Sequence, residues 1–255
     1  MPPRTRLPAG HDVLSQILFA EGFGARRECE GLILHGLVQV EGEVVEDPDA
    51  AFPRDGLKLV VDGLPWIAHV RALVLLHKPA GYECSLKPGA WPGVHNLLPL
   101  PLRRRGLQPV GRLDQDTTGL LLMTDDGPLL HKLTSPKKNV PKVYEVLCKH
   151  PVTEAMCQRL RKGVVLDDDP APVAADDAVR VDAQGRPLNP DDPAETPHLR
   201  LTLLQGKYHQ VKRMVAAVGN RVEGLHRSQI GRLSLPADLP AGQWCWIDDP
   251  AVVLP

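Results

Sequence analysis

Residues 111–127 read G-R-L-D-Q-D-T-T-G-L-L-L-M-T-D-D-G. The second half, Gly119 to Thr124, is nearly unbroken apolar sequence, the pattern of a strand covered on both faces in the middle of a sheet. The first half sets Asp114 and Asp116 two residues apart beside Arg112, at the entry to that strand. Two readings fit this spacing equally. One is a turn carrying a surface ion pair; the other is a strand edge presenting Asp114 into a cleft, with hydroxyls and backbone N–H groups shaping the loop. Asp125–Asp126–Gly127 closes the stretch as an ordinary turn, since Asp-Gly is a strong turn signal.

Strands flank this segment on both sides. LVLLHK at Leu73 to Lys78 is one, stopped by Pro79 and Gly81, and LQPVG leads into the loop. Downstream, PLLHKLTS reads as a short helix, VYEVLCK as a strand, and TEAMCQRLRKG as a helix with Met156, Leu160 and Val164 inward. Residues 167–196 are acidic and Pro-rich and read as surface loops around one short strand, Ala178 to Val181. HLRLTLLQG, RVEGLHRSQIG and QWCWI read as strands, and a helix is expected from His209 to Val218 with Val211, Met214, Val215 and Val218 inward. Strands outnumber helices without a strict βαβ rhythm, which predicts an α+β chain with a mixed sheet and flanking helices.

Upstream, Asp12 to Leu34 reads as two short helices joined by Gly22–Phe23–Gly24. Val38 and Val40 alternate before Glu41–Gly42, and Val44–Val45 resumes as a small hairpin would. After Asp55–Gly56 comes the alternating run LKLVVDG. This unit is expected to end near Leu64, giving a small domain over 1–64 and a larger one over 65–255.

The 255 residues are 43% apolar and 24% charged, enough for a core and too apolar for global disorder. Aromatics are only 4%, so the core must be mostly aliphatic. The longest apolar runs are too short to cross a bilayer, and no signal-peptide pattern opens the chain; a cytoplasmic protein is expected. The five cysteines show no C-x-x-C pair, so buried thiols are expected rather than disulfides or zinc. Net charge is −1 but unevenly spread: residues 1–64 carry −5 and residues 65–255 carry +4. A nucleic-acid contact would then lie mainly in the second part.

Two further segments carry chemistry. Gly206–Lys207–Tyr208–His209–Gln210–Val211–Lys212–Arg213–Met214 stands at a strand-to-helix junction. Its basic residues are either solvated surface or, with helix-initial N–H groups, a site for phosphate or carboxylate. Lys137, Lys138 and Lys142 cluster beside Tyr144. That suits a backbone-holding patch next to a stacking ring, or solubilising lysines around a half-buried tyrosine. Arg103–Arg104–Arg105 is equally a solvated face or an RNA contact.

Taken in order, these segments resemble the small-ribosomal-subunit members of the bacterial RNA pseudouridine synthases. G-R-L-D-x-D-T-x-G-L-L-L-x-T-x-D-G is similar to that family's catalytic motif, K-P-x-G at Lys78 to Gly81 to the opening of its catalytic domain, and K-V-Y-E-V at Lys142 to Val146 to the segment with its active-site tyrosine. G-K-Y-H-Q-V-K-R-M and L-H-R-x-x-I-G at Leu225 to Gly231 resemble the 16S-directed branch. G-x-x-x-R-R-E at Gly22 to Glu28 and G-x-V-x-V-x-G at Gly36 to Gly42 resemble an S4-type RNA-binding domain, here net acidic.

The resemblance implies a mainly antiparallel mixed sheet behind a small S4-like α/β domain. It implies isomerisation of a uridine in ribosomal RNA to pseudouridine, in the family at uridine 516 of 16S RNA. Asp114 would be the catalytic carboxylate, Lys212 its basic partner, and Tyr144 the ring stacking on the extruded uracil. RNA contacts would come from Arg26, Arg27, Arg112, Lys142, Lys207, His209, Gln210 and Arg213. No cofactor or metal is implied, since an isomerisation needs no redox partner or group donor; the run Asp167–Asp168–Asp169 reads as exposed carboxylates. A monomer acting on small-subunit RNA or a partly assembled 30S particle, away from membranes, is expected. The competing readings are a synthase acting on 23S RNA, a catalytically idle ribosome-assembly factor, and a hydrolase using His209 or His226.

Overall fold

The computed structural model describes residues 7–167 and 169–254. Met1 to Arg6 and Asp168 of the acidic run lie outside the described residues. Two compact units emerge.

In the first, helix α1 spans Leu14–Glu21 and helix α2 spans Arg26–Leu34. Leu14, Ile17, Leu18, Cys29 and Ile33 are buried, as their three-to-four spacing predicts. Gly22 ends α1 in the left-handed conformation (φ 88°, ψ 18°), and a Cβ there would lie 2.3 Å from the Pro101 carbonyl oxygen. Only glycine satisfies both demands. Helix α2 starts with Glu28 reaching back to accept from the Ala25 N–H at 2.6 Å, half of a capping box.

The expected hairpin is present: Val38–Val40 pairs with Glu43–Val44 across Glu41–Gly42, both at positive φ as a two-residue turn requires. The same chemistry recurs at Asp62–Gly63, where Lys58–Val61 turns back into a further strand, Leu64–Ile67. A division at Leu64 therefore falls inside a hairpin. The unit runs on to Ala72 and also takes in residues 95–108. The reason is a buried carboxylate. Glu21, 2% exposed, accepts from Trp66 Nε1 at 2.9 Å, the His69 N–H at 3.0 Å and Arg105 Nη1 at 2.8 Å. Arg105 lies on helix α3, Leu100–Arg105, whose Arg104 donates to the Phe23 carbonyl oxygen at 3.1 Å. Two of the three arginines at 103–105 thus hold the unit together.

The second unit, residues 73–94 and 109 onward, is built on one mixed sheet. Its strands run in the order Asp177–Arg180, His198–Leu203, Lys142–Cys148, Val222–Ile230, Thr118–Thr124, Leu73–Lys78, Trp244–Trp246. Neighbours in this order are antiparallel except Val222–Ile230 and Thr118–Thr124, which run parallel with Arg227 opposite Gly119. Gly119 has φ 105°, and a Cβ on it would meet the Arg227 backbone at 2.3 Å. The glycine of the opening motif is what lets the central strands close. Leu120, Leu121, Leu122 and Met123 are fully buried, as a doubly covered strand requires.

Leu73, Leu75, Leu120, Leu122 and Ile230 pack with Leu133 of helix α4 (Gly127–Thr134), which Asp126 caps by accepting from the Leu129 N–H at 3.1 Å. Helix α5, Glu154–Lys162, buries Cys157 and Leu160, with Met156 only partly covered. Helix α6, Gln210–Ala217, buries Val211, Met214 and Val215. Within the stretch expected to be loops from 167, Asp169–Val173 is a further strand, paired with Val164–Leu166 just before it. No helix among the described residues is long and apolar enough to cross a membrane.

Candidate active site

The loop bearing Asp114 is fastened from beneath. Lys78, at the end of its strand and fully buried, donates through Nζ to the carbonyl oxygens of Pro79 (3.0 Å), Gln115 (3.2 Å) and Thr117 (2.7 Å). Burial lowers its pKa, while Cys84, Asp116 and Asp114 pull it back up. The Gly81 N–H donates to the Gln115 oxygen at 2.8 Å, and the Thr117 N–H to the Asp114 oxygen at 3.1 Å. The backbone from 114 to 117 is therefore a bonded turn that Asp114 opens.

Side chains from the start of α6 close on that carboxylate. His209 Nε2 lies 3.3 Å from Asp114 Oδ1, and Lys212 Nζ lies 3.3 Å from Asp114 Oδ2. Lys212 also reaches both oxygens of Asp116, at 2.7 and 2.8 Å. Partial burial works to raise the Asp116 pKa, but the hydrogen bonds and charge of Lys212 outweigh it and hold the group below its ordinary value. Burial likewise works to lower Lys212, and the two carboxylates override it and raise its pKa. His209 pays for its position with a left-handed backbone (φ 47°, ψ 33°), uncommon outside glycine. The turn before it is pinned: Gln210 Oε1 accepts from the Lys207 N–H at 2.7 Å, and Arg213 Nη1 donates to the Tyr208 oxygen at 3.1 Å. The exposed Tyr208 ring stacks on His209 at 3.8 Å.

Asp114, His209 and Lys212 line a pocket of about 170 Å³. Tyr144, 8% exposed, also lines it from the strand Lys142–Cys148, where it sits opposite Arg227 in register. Lys142 lines it too, donating to the Val140 oxygen at 2.9 Å; burial, with Arg227 nearby, lowers its pKa to about 8. Arg227 is 2% exposed and donates through Nε to the Leu120 oxygen at 2.8 Å. This is a pocket lined by a carboxylate, several cations and an aromatic ring, a composition that suits a flat polar base on a charged backbone.

Comparison with known proteins bears on what such a site does. Residues 72–217 match the model of the RNA pseudouridylate synthase family, and residues 14–50 match that of the S4 domain. The chain belongs to the RNA pseudouridine synthase family. It is 38% identical over 230 residues to the ribosomal small subunit pseudouridine synthase A of Escherichia coli, covering 88% of this chain and 92% of that one. It is 35% identical over 227 residues to the protein of that name from Pasteurella multocida, covering 88% and 91%. An uncharacterised RNA pseudouridine synthase of Bacillus subtilis is 33% identical over 231 residues, covering 91% and 92%. A crystal structure of a pseudouridylate synthase superposes with a TM-score of 0.62 at 30% identity, over 94% of this chain and 97% of that one.

In this synthase, the pocket gathers Asp114, Tyr144 and Lys212 together with Arg112, Lys142, Lys207, His209 and Gln210. Gln210 is 5% exposed and its amide is turned inward on the Lys207 N–H and Met214 Sδ. Arg213 does not line the pocket. Arg26 and Arg27 belong to the first unit and are exposed there, with Arg26 lying 5.3 Å from the centre of the Phe19 ring. His226 is turned to another face of the sheet, 2.9 Å from Thr118 Oγ1, so it is not paired with Asp114. Lys78 and Arg227 stand inside the K-P-x-G and L-H-R-x-x-I-G motifs, but the sequence reading gives neither a role in the site. Nothing local to a lysine that ends an apolar run, or to an arginine in a polar stretch, shows that three carbonyls or a pocket wall will surround it.

Proposed function

We propose that the chain isomerises a uridine of small-subunit ribosomal RNA to pseudouridine, in the cytoplasm, with Asp114 as the catalytic carboxylate. The observation that carries this reading is the placement of Asp114 at the mouth of a pocket walled by Tyr144, between His209 and Lys212 at 3.3 Å each. The small-subunit choice is supported by the likeness to the ribosomal small subunit pseudouridine synthases A of E. coli and P. multocida.

The reaction breaks the N1–C1′ bond, turns the base and rejoins C5 to C1′. With the base against Tyr144, the ribose lies at the mouth, where Asp114 meets the positive charge that develops at C1′ or captures it as a nucleophile. Lys212 meets Oδ2 of this carboxylate and His209 meets Oδ1, and together they aim it. Arg112 and Lys207 at the rim meet backbone phosphates, and the target leaves its stack at a cost of a few kcal/mol unless already unpaired. The test is base-specific mapping of pseudouridine in 16S and 23S RNA, naked and partly assembled, incubated with the protein. One new pseudouridine in 16S RNA is expected. Modification of 23S RNA alone would overturn the substrate assignment, and binding without modification would overturn the catalytic one.

A further inference from the structure

Two buried donors stand in the wall of the pocket. Arg227 Nη2 and Thr117 Oγ1 are buried without a hydrogen-bond partner among the described residues. Both residues line the pocket. A buried guanidinium N–H left unpaired is disfavoured, and a ligand that accepts from it removes that penalty. Beside it stands Lys142, a second cation on the same strand as Tyr144 and two residues before it. No carboxylate lies within ion-pairing distance of either Lys142 or Arg227 among the described residues; the Asp114 carboxylate is engaged by His209 and Lys212. Arg227 is the cross-strand neighbour of Tyr144, so a base stacked on that ring turns its polar edge toward the guanidinium.

We infer that Arg227 and Lys142 form an anion subsite for the edge of the target uracil, gripping its carbonyl oxygens as the base leaves the ribose with negative charge. The inference deepens the proposed reaction and rests on it. When N1–C1′ breaks heterolytically, the electron pair stays on the uracil and spreads to its carbonyl oxygens. After the base turns, C5 attacks C1′ with a ring electron pair, one proton leaves C5 and one is taken up at N1, so the net change is an isomerisation. Donors fixed at those oxygens bind the departing anion more strongly than the neutral base, and that difference lowers the barrier. The depressed pKa of Lys142 fits a cation built for an anion that is present only during turnover. The charged and titratable groups facing the same pocket are Arg112, Asp114, Tyr144, Lys207, His209, Lys212 and Arg227.

The test uses the full chain in single-turnover pseudouridine formation at saturating protein, with RNA affinity measured separately, for Lys142→Gln, Lys142→Arg and Arg227→Lys. Lys142→Gln should lower the rate constant by about 10²-fold, with affinity changed by less than about threefold. The wild-type rate should fall above about pH 8, and Lys142→Arg should keep most of the rate and remove that fall, because guanidinium does not titrate there. Arg227→Lys should lose rate in the same manner; if circular dichroism shows it misfolded, the two Lys142 variants decide alone. Loss of affinity with an unchanged rate constant would make these residues phosphate contacts and overturn the inference. So would a rate constant for Lys142→Gln within about threefold of wild type. A wild type that modifies no ribosomal RNA would instead overturn the proposed function, and this inference with it.

Discussion

The Lys212 ammonium lies 2.7 Å from Asp116 and 3.3 Å from Asp114, so the closer of its two partners is the more exposed carboxylate. Asp116 is 52% exposed against 26% for Asp114. The lysine is tied at the rim and offers Asp114 its remaining reach. A carboxylate held at 3.3 Å by two donors retains freedom to meet a substrate.

Asp114→Asn and Asp116→Asn should therefore differ sharply. The first removes the charge at the pocket mouth and should abolish pseudouridine formation, by more than about 10³-fold, with folding and RNA binding kept. The second frees Lys212 to move onto Asp114 and should lower the single-turnover rate by less than about tenfold. Comparable losses in both variants would show that the two carboxylates act as one unit.

His209 should accept asparagine better than valine. Asparagine tolerates the left-handed backbone, whereas a β-branched residue at φ 47° should destabilise the fold by about 1–3 kcal/mol. Thermal unfolding of His209→Asn and His209→Val checks the ranking. Both remove the 3.3 Å contact to Asp114, so both should lose activity whatever their stability.

Lys142 carries a stability signature with a definite sign. Its pKa falls from 10.5 to about 8 in the folded chain, so between those values the unfolded chain binds more protons. Stability from this group should rise as pH climbs from about 8 toward 10.5, and the full penalty stands below 8. Lys142→Met should accordingly stabilise the protein at pH 7 by about 1 kcal/mol, allowing for partial exposure, while losing activity. Denaturant titration of both proteins at pH 7 and pH 10 should show the gain shrinking at the higher pH.

Arg105→Ala leaves the Glu21 carboxylate buried without its cation, with only the Trp66 and His69 donors, and should cost about 3–5 kcal/mol. Adding Glu21→Gln should recover part of that loss, a coupling that a double-mutant cycle measures. Cutting the chain before residue 65 removes the same carboxylate along with α1 and α2. A 65–255 fragment should then expose Trp66, Leu102 and Leu107, all buried in the first unit, and should aggregate more readily than the full chain.

The elements were legible because their determinants are local. The apolar run Leu120 to Met123, the three-to-four spacing in α1 and α6, and the Glu41–Gly42 turn each state their conformation within a few residues. The α+β class, the mainly antiparallel sheet and the family followed from those runs and from motifs of high specificity. Short pieces inside biased sequence were not legible, among them the hairpin at 164–173 and the strand Leu64–Ile67.

What tertiary structure alone decided is who meets whom. The sequence names Lys212 as a partner for Asp114, but only the fold brings Asp116 nearer to it. Arg105 sits in a run of three identical residues, and its burial on Glu21, 84 residues away, depends on the chain returning to the first unit. Nothing in the polar sequence around Arg227 shows its burial, which comes from pairing with Gly119 on one side and Tyr144 on the other. Charges act over a few ångströms of space, and spacing along the chain fixes those distances only within a single element.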